Sequence, residues 1–358
     1  MKKTIMFFIV LFFAATSFAA TPAYHVLKHI EIGGQGGWDY LSIDQSTRRL
    51  FVSHDTYVAV VDLNTDQVVA DIPDTPGVHG IALAPEIGRG FISCGRADKV
   101  LIFDLSSLKI LGEVKTGGNP DGILYDPASK RVFASNARSG DMTVFDAFSG
   151  ETLGTIALGG KGESPHTDGN GKLYVNIEDS SEVVEIDIET LAVTNRFPIA
   201  PGEEPTGMAV DPAHHRIFSG CGNQIMTVLD TETGKVTAQV PIGIMCDGVG
   251  FDAETGLIFT SNGEGTLTVI KETAPGKFEV AETVPTRRGA RTLTVDSVTQ
   301  MIYLPVGPFN RPPRGGPGVE GPDAQPHGGP GGRGSGDAPP SPPPATDEGG
   351  FEVMVVGK

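Results

Sequence analysis

The chain has 358 residues, 48 of them Gly and 27 Pro, and a formal net charge of −17. That length can bury a large core, but so much Gly and Pro argues against a mainly helical protein. The acidic balance disfavours a general binder of nucleic-acid backbones, which needs compensating positive charge. It suits a cationic small molecule, a metal ion or a basic protein partner, and it also serves plain solubility.

Residues 1–19 read as an export signal. Lys2 and Lys3 precede an apolar run from Ile5 to Phe13, and Ser17-Phe18-Ala19 is a small-x-small site that predicts cleavage after Ala19. The run is too short for a comfortable membrane span. Removing the two lysines takes the net charge from −17 to −19. A soluble periplasmic or secreted protein is expected, with no transmembrane segment after signal cleavage.

From Trp38 onward one pattern returns seven times. WDYLSIDQSTRRLFVSH begins at Trp38, VHGIALAPEIGRGFISC at Val78 and PDGILYDPASKRVFASN at Pro120. GESPHTDGNGKLYVNI begins at Gly162, PTGMAVDPAHHRIFSGC at Pro205, CDGVGFDAETGLIFTSN at Cys246 and ARTLTVDSVTQMIYLPV at Ala290. The Gly162 copy is the weakest, because its first strand has lost most of its apolar alternation. Equivalent positions are Asp39, His79, Asp121, Glu163, Thr206, Asp247 and Arg291, spaced by 40, 42, 42, 43, 41 and 44 residues.

Within the unit Gly117–Ile156, Ile123–Tyr125 lead into an Asp126-Pro127 turn. Val132–Ala134 form a second apolar run, Met142, Val144 and Phe145 mark a third, and Leu153 and Ile156 a fourth. β-Branched and aromatic residues bounded by Gly, Asp and Asn are hairpin chemistry. A four-stranded sheet cannot bury both faces alone; stacking such sheets radially solves this and leaves only short edges.

The last copy is interrupted by a Pro/Gly-rich insertion, residues 308–350, read as a disordered loop because it has too little apolar surface to offset its ordering entropy. Strand character resumes at Phe351. The fourth strand of that sheet is expected from Tyr24–Gly33, so that pairing of the N- and C-terminal strands closes the ring. The fold class is therefore all-β, a seven-bladed β-propeller forming a single domain over residues 20–358.

The stretches GIALAP, RVFASN, MTVFDAFSGETLGTI and GMAVDPAHHRIFSG resemble those of the YVTN-repeat seven-bladed propellers, a bacterial family related in fold to the propeller of cytochrome cd1 nitrite reductase. The resemblance covers nearly the whole mature chain apart from the insertion. It implies the fold strongly and function poorly: members are mostly of unknown role, some lie at the cell surface, and at least one periplasmic member is associated with DNA. No uniform catalytic motif transfers, and the haem-binding elements of the reductase are not recognisable.

In a propeller the first strand of each blade lines the central channel. The seven equivalent positions Asp39, His79, Asp121, Glu163, Thr206, Asp247 and Arg291 should then meet as a ligand-binding ring at one mouth. Four are carboxylates, whose mutual repulsion raises some pKa values unless a cation or donor compensates. Arg291 could pair with Asp39 or with Asp247, and His79 adds a nitrogen ligand or proton shuttle. The same residues could instead cap turns and tie blades together. The second strands end at His54, Cys94, Asn136, Ile177, Cys221, Asn262 and Val306. From this comes a candidate site for a divalent metal ion made of His54, His79, Asp39 and Cys94.

Cys221 and Cys246 end and begin neighbouring strands and form a candidate disulfide or sulfur contact, with Cys94 left over. His166 breaks the apolar pattern of its strand and could face the mouth with Glu163 as partner. His79, His166 and Glu163 are the weak catalytic candidates. Trp38 should pack between the first and last blades. There is no CxxCH, GxSxG, HExxH or Walker A pattern, and GGQGG at Gly33–Gly37 lacks the βαβ setting of a dinucleotide site, so no haem or nucleotide is expected. The leading function is an exported scaffold that binds a small molecule, metal ion or protein at the channel mouth or on its loop faces. The alternatives are a metal-dependent lyase or hydrolase acting on a small metabolite, or a structural cell-envelope protein.

Overall fold

The computed structural model describes residues 23–34, 36–308 and 350–358. The proposed signal sequence and nearly all of the Pro/Gly-rich insertion lie outside the described residues. Among these residues no helix is long and apolar enough to cross a membrane.

Seven four-stranded antiparallel sheets form the blades of a β-propeller. Blade 3 shows the plan: Pro120–Asp126, Arg131–Asn136, Asp141–Asp146 and Thr152–Ala157 follow each other in sequence and in space. Blades 1, 2, 4, 5 and 6 repeat it, with inner strands Leu41–Asp44, Val78–Ala84, Gly162–Thr167, Pro205–Asp211 and Cys246–Asp252. Blade 7 is composite. Its inner strand is Thr294–Val295, followed by Ile302–Val306 and Glu352–Gly357, and the outer strand is the N-terminal His25–Glu31, paired antiparallel to Glu352–Gly357. The ring therefore closes as the sequence pattern requires.

Each blade buries both faces against its neighbours. Phe51, Phe91, Phe133, Tyr174, Phe218, Phe259 and Tyr303 occupy the same position of the second strand in successive blades, and all are buried. Each of the seven inter-blade seams has its own apolar cluster; Phe51, Val60, Ile92 and Phe103, for example, join blades 1 and 2. Most inner strands end in an Asp that accepts hydrogen bonds from the following turn. Asp44 Oδ1 takes the Ser46 N–H at 2.9 Å and Asp126 Oδ2 takes the Ser129 N–H at 2.8 Å. Trp38 packs against Phe351 and donates its indole N–H to the Gly289 carbonyl at 3.1 Å, which places it at the blade 1–blade 7 seam as expected.

Candidate functional site

The start of the inner strand is irregular in blade after blade. Pairing with the second strand slips between Val78 and Ile81, Pro120 and Ile123, Glu163 and His166, Pro205 and Met208, and Cys246 and Gly248. An extra residue there turns a side chain away from the alternation of the strand. The residues turned are His79, Asp121, Glu163, Thr206 and Asp247.

The bulges are held by a feature not read from the sequence. Ser53, Ser93, Ser135, Ser219 and Ser261, one residue before the end of the second strand, are fully buried. Ser93 Oγ accepts the Gly80 N–H at 2.8 Å and donates to the Asp121 carbonyl of the next blade at 2.6 Å. Ser261 Oγ donates to the Arg291 carbonyl at 2.5 Å, and Asn176 Nδ2, in the equivalent place, donates to the Thr206 carbonyl at 3.0 Å. The signal was present as the recurring Ser in VSH, ISC, ASN, FSG and TSN. A small residue after the ring position completes the packing: a Cβ on Gly122 would lie 2.6 Å from Pro165 Cδ of the next blade.

The predicted ring forms, but as two groups. On one side His79 Nδ1 lies 2.7 Å from Asp39 Oδ2 and 3.7 Å from Asp121 Oδ1, and one ligand atom from each of Asp39, His79 and Asp121 falls within 4.8 Å of the others. Glu163 continues this group toward Lys161, whose Nζ is 2.7 Å from Glu163 Oε1 and also pairs with Glu178. On the other side Arg291 pairs with Asp247, donates to the Trp38 carbonyl at 3.1 Å and stands 3.8 Å from Asp39 Oδ1. Thr206 takes the blade-tying role, donating to the Cys246 carbonyl at 2.7 Å.

Burial and charge act against each other at this mouth. Burial opposes the charged form of His79, but the Asp39 hydrogen bond and the charges of Asp121, Asp39 and Glu163 outweigh it and raise the imidazole to about 9. Burial, moderated by His79, lifts Asp121 to about 6. Burial and the Asp121 charge push Glu163 up to about 8 despite Lys161. Tyr40, absent from the sequence-based candidates, reaches across the channel. Its hydroxyl donates to Glu163 Oε2 at 3.5 Å and lies 3.3 Å from Ser164 Oγ, and burial together with the Glu163 charge raises its phenol well above the usual value.

The sequence-derived metal set of His54, His79, Asp39 and Cys94 needs correction. Asp39 and His79 do meet, but Asp121 is the third member, and His54 and Cys94 lie elsewhere. Cys94 pairs with Val78, not His79, and sits in the apolar seam between blades 1 and 2, where burial lifts its thiol to about 12. His54 stacks on Tyr57 with centroids 4.4 Å apart and faces the Gly33 carbonyl at 3.2 Å. Second-strand ends point into the seams, and bulged first-strand residues point into the channel. Cys221 and Cys246 are neighbouring buried free thiols, not a disulfide, and burial raises them to about 11 and about 12. His166 does not partner Glu163: it lies deeper in the channel, where burial lowers it to about 4 and its ring hydrogen-bonds the Met208 backbone.

Fold and mouth define a seven-bladed β-propeller with a charged channel entrance. The chain matches no protein-family model and no curated protein sequence. Solved structures similar to it include hydrazine synthase of Kuenenia stuttgartiensis (17% identity, TM-score 0.66), covering 75% of this chain and 92% of that one. U3-55K (11% identity, TM-score 0.69) covers 78% of this chain and 90% of that one. The Cps50 (Swd1) β-propeller domain of Myceliophteria thermophila (13% identity, TM-score 0.65) covers 79% and 96%. At these identities the likeness is one of fold alone.

Proposed function

We propose that this propeller is an exported binding protein of the YVTN-repeat type whose channel mouth takes a divalent cation on Asp39, His79 and Asp121. The observation that carries the reading is the convergence of these three ligand atoms within 4.8 Å, from three different blades. Charge supports it. Asp39, Asp121, Glu163, Glu178 and Asp247 are five carboxylates against two permanent cations, Lys161 and Arg291, leaving three negative charges for His79 and a bound ion to offset. One imidazole with carboxylate oxygens and no thiolate suits Mn²⁺, Fe²⁺ or Zn²⁺ better than Cu⁺. The net charge of −17 weighs against nucleic acid as the partner.

The metal-dependent lyase or hydrolase reading has one observation in its favour. Glu163, lifted to about 8, and the Tyr40 hydroxyl beside it form a proton-transfer pair at the edge of the same mouth. A protein partner on the loop faces draws on the likeness to a solved structure of RRP9 WD40 repeats, 11% identical, which reaches the fold only.

The test is calorimetric titration of chelator-stripped protein with Mn²⁺ and Zn²⁺. One ion per chain is expected, with affinity lost by at least about tenfold in Asp121→Ala and His79→Ala and kept in a rim control, Glu113→Ala. Equal affinity in all four proteins, or no saturable binding by the wild type, removes the reading.

A further inference from the structure

Below the Tyr40 crossbar the channel widens into a cavity of about 510 Å³, inside the range of small-molecule sites. All seven inner strands contribute to its wall, which is mainly apolar: Ile43, Leu83, Ile123, Val210, Phe251 and Val295 face it and remain partly exposed, so solvent reaches it. The polar atoms of the wall are mostly spoken for. Ser42 Oγ donates to the Ile81 carbonyl at 2.5 Å, and Ser164 Oγ lies 3.3 Å from the Tyr40 hydroxyl. His166 differs. Its ring donates one N–H to the Met208 backbone, it stays neutral because burial lowers it to about 4, and no other hydrogen-bond partner for it exists among the described residues. The second nitrogen of a neutral imidazole whose first nitrogen donates is an acceptor.

We propose that this compartment is a second binding site, separate from the charged mouth, for a small neutral, largely apolar molecule carrying one hydroxyl or N–H donor directed at His166. Three features select that class. An apolar wall gains free energy from apolar contact area. A lone acceptor rewards a donor and leaves a molecule without one unanchored. Anions are disfavoured because the inner strands end, at the far face, in Asp44, Asp126, Asp211, Asp252 and Asp296, and the whole chain carries −17. Tyr40, tied across the channel to Glu163 and Ser164, separates the compartment from the mouth, so a ligand enters from the far face. The site stands whether or not the mouth binds a cation.

The test titrates the full chain, with chelator present, with naphthol, naphthyl methyl ether and naphthoate as probes of matched shape. Saturable one-to-one binding of naphthol is expected, with the ether weaker by about tenfold and naphthoate without saturable binding. His166→Phe should bring naphthol down to the level of the ether. Val210→Trp and Leu83→Trp, which fill the cavity from opposite blades, should abolish binding while keeping the wild-type far-UV spectrum; two variants guard against one failing to fold. The proposal is overturned if wild-type protein shows no saturable naphthol binding, if naphthol and its ether bind equally, or if a folded tryptophan variant retains naphthol. Chelator in every titration keeps these outcomes independent of the cation at the mouth.

Discussion

Replacing Ser93 by Ala tests the account of how the mouth is built. The Ser93 hydroxyl is fully buried, accepts the Gly80 N–H at 2.8 Å and donates to the Asp121 carbonyl at 2.6 Å. Alanine leaves a buried donor and a buried acceptor without their partner, each costing roughly 1–3 kcal/mol, so a loss of about 2–4 kcal/mol is expected. Ser135 holds the same position one blade on, equally buried, but its hydroxyl has no hydrogen-bond partner. Ser135→Ala therefore removes an unsatisfied group and should change stability by no more than about 0.5 kcal/mol, or raise it. Urea unfolding followed by far-UV circular dichroism and by fluorescence of the single tryptophan, Trp38, at the blade 1–blade 7 seam, gives both numbers and checks that the two probes unfold together. Ser93→Ala should also weaken cation binding, since the carbonyl it holds belongs to Asp121. Equal losses in the two variants would refute the claim that these serines act by stitching blades.

Three further outcomes are expected. Asp296→Ala should cost about 3–5 kcal/mol in the same urea assay, because it strands Arg48, paired with the fully buried Asp296 carboxylate at 2.5 Å across the closing seam, and frees the Val298 N–H. His166 has a folded value of about 4 against an ordinary 6.5, so its contribution is fully present above pH 6.5 and is lost as pH falls toward 4. Its partial exposure to the channel makes about 3 kcal/mol an upper bound, and His166→Gln should lose less stability than the wild type between pH 7 and pH 5. Gly122→Ala, whose Cβ would meet Pro165 at 2.6 Å, should cost about 1–3 kcal/mol, whereas Gly112→Ala, with nothing within 4 Å, should be neutral or stabilising in thermal melts.

The fold was legible because its determinants are local and repeated. Alternating β-branched residues, Asp turns and a period near 42 residues specify strands and hairpins one blade at a time, and a blade with two apolar faces has to stack. Even the composite blade followed from the same arithmetic, since the seventh copy lacks an outer strand and the chain's start supplies one. The seven ring positions were found for the same reason: they hold the same place in each copy.

Which of them act together was not legible. Simple strand alternation joined His54 and Cys94 to His79, but a bulge of one residue sends His79 into the channel while Cys94 follows Val78 into an apolar seam. A bulge depends on the buried serine of one blade meeting the backbone of the next, a contact 28 residues away for Ser93 and Asp121. Lys161 and Tyr40 were missed likewise, because their meaning comes from Glu163, which Tyr40 reaches across the channel from 123 residues away. Sequence alone determined the strands, their number and the closure of the ring, since these rest on periodicity and burial within each repeat. Tertiary structure decided the division of the ring, the crossbar and the cavity beneath it, since these depend on register and on distances between blades that no single repeat encodes.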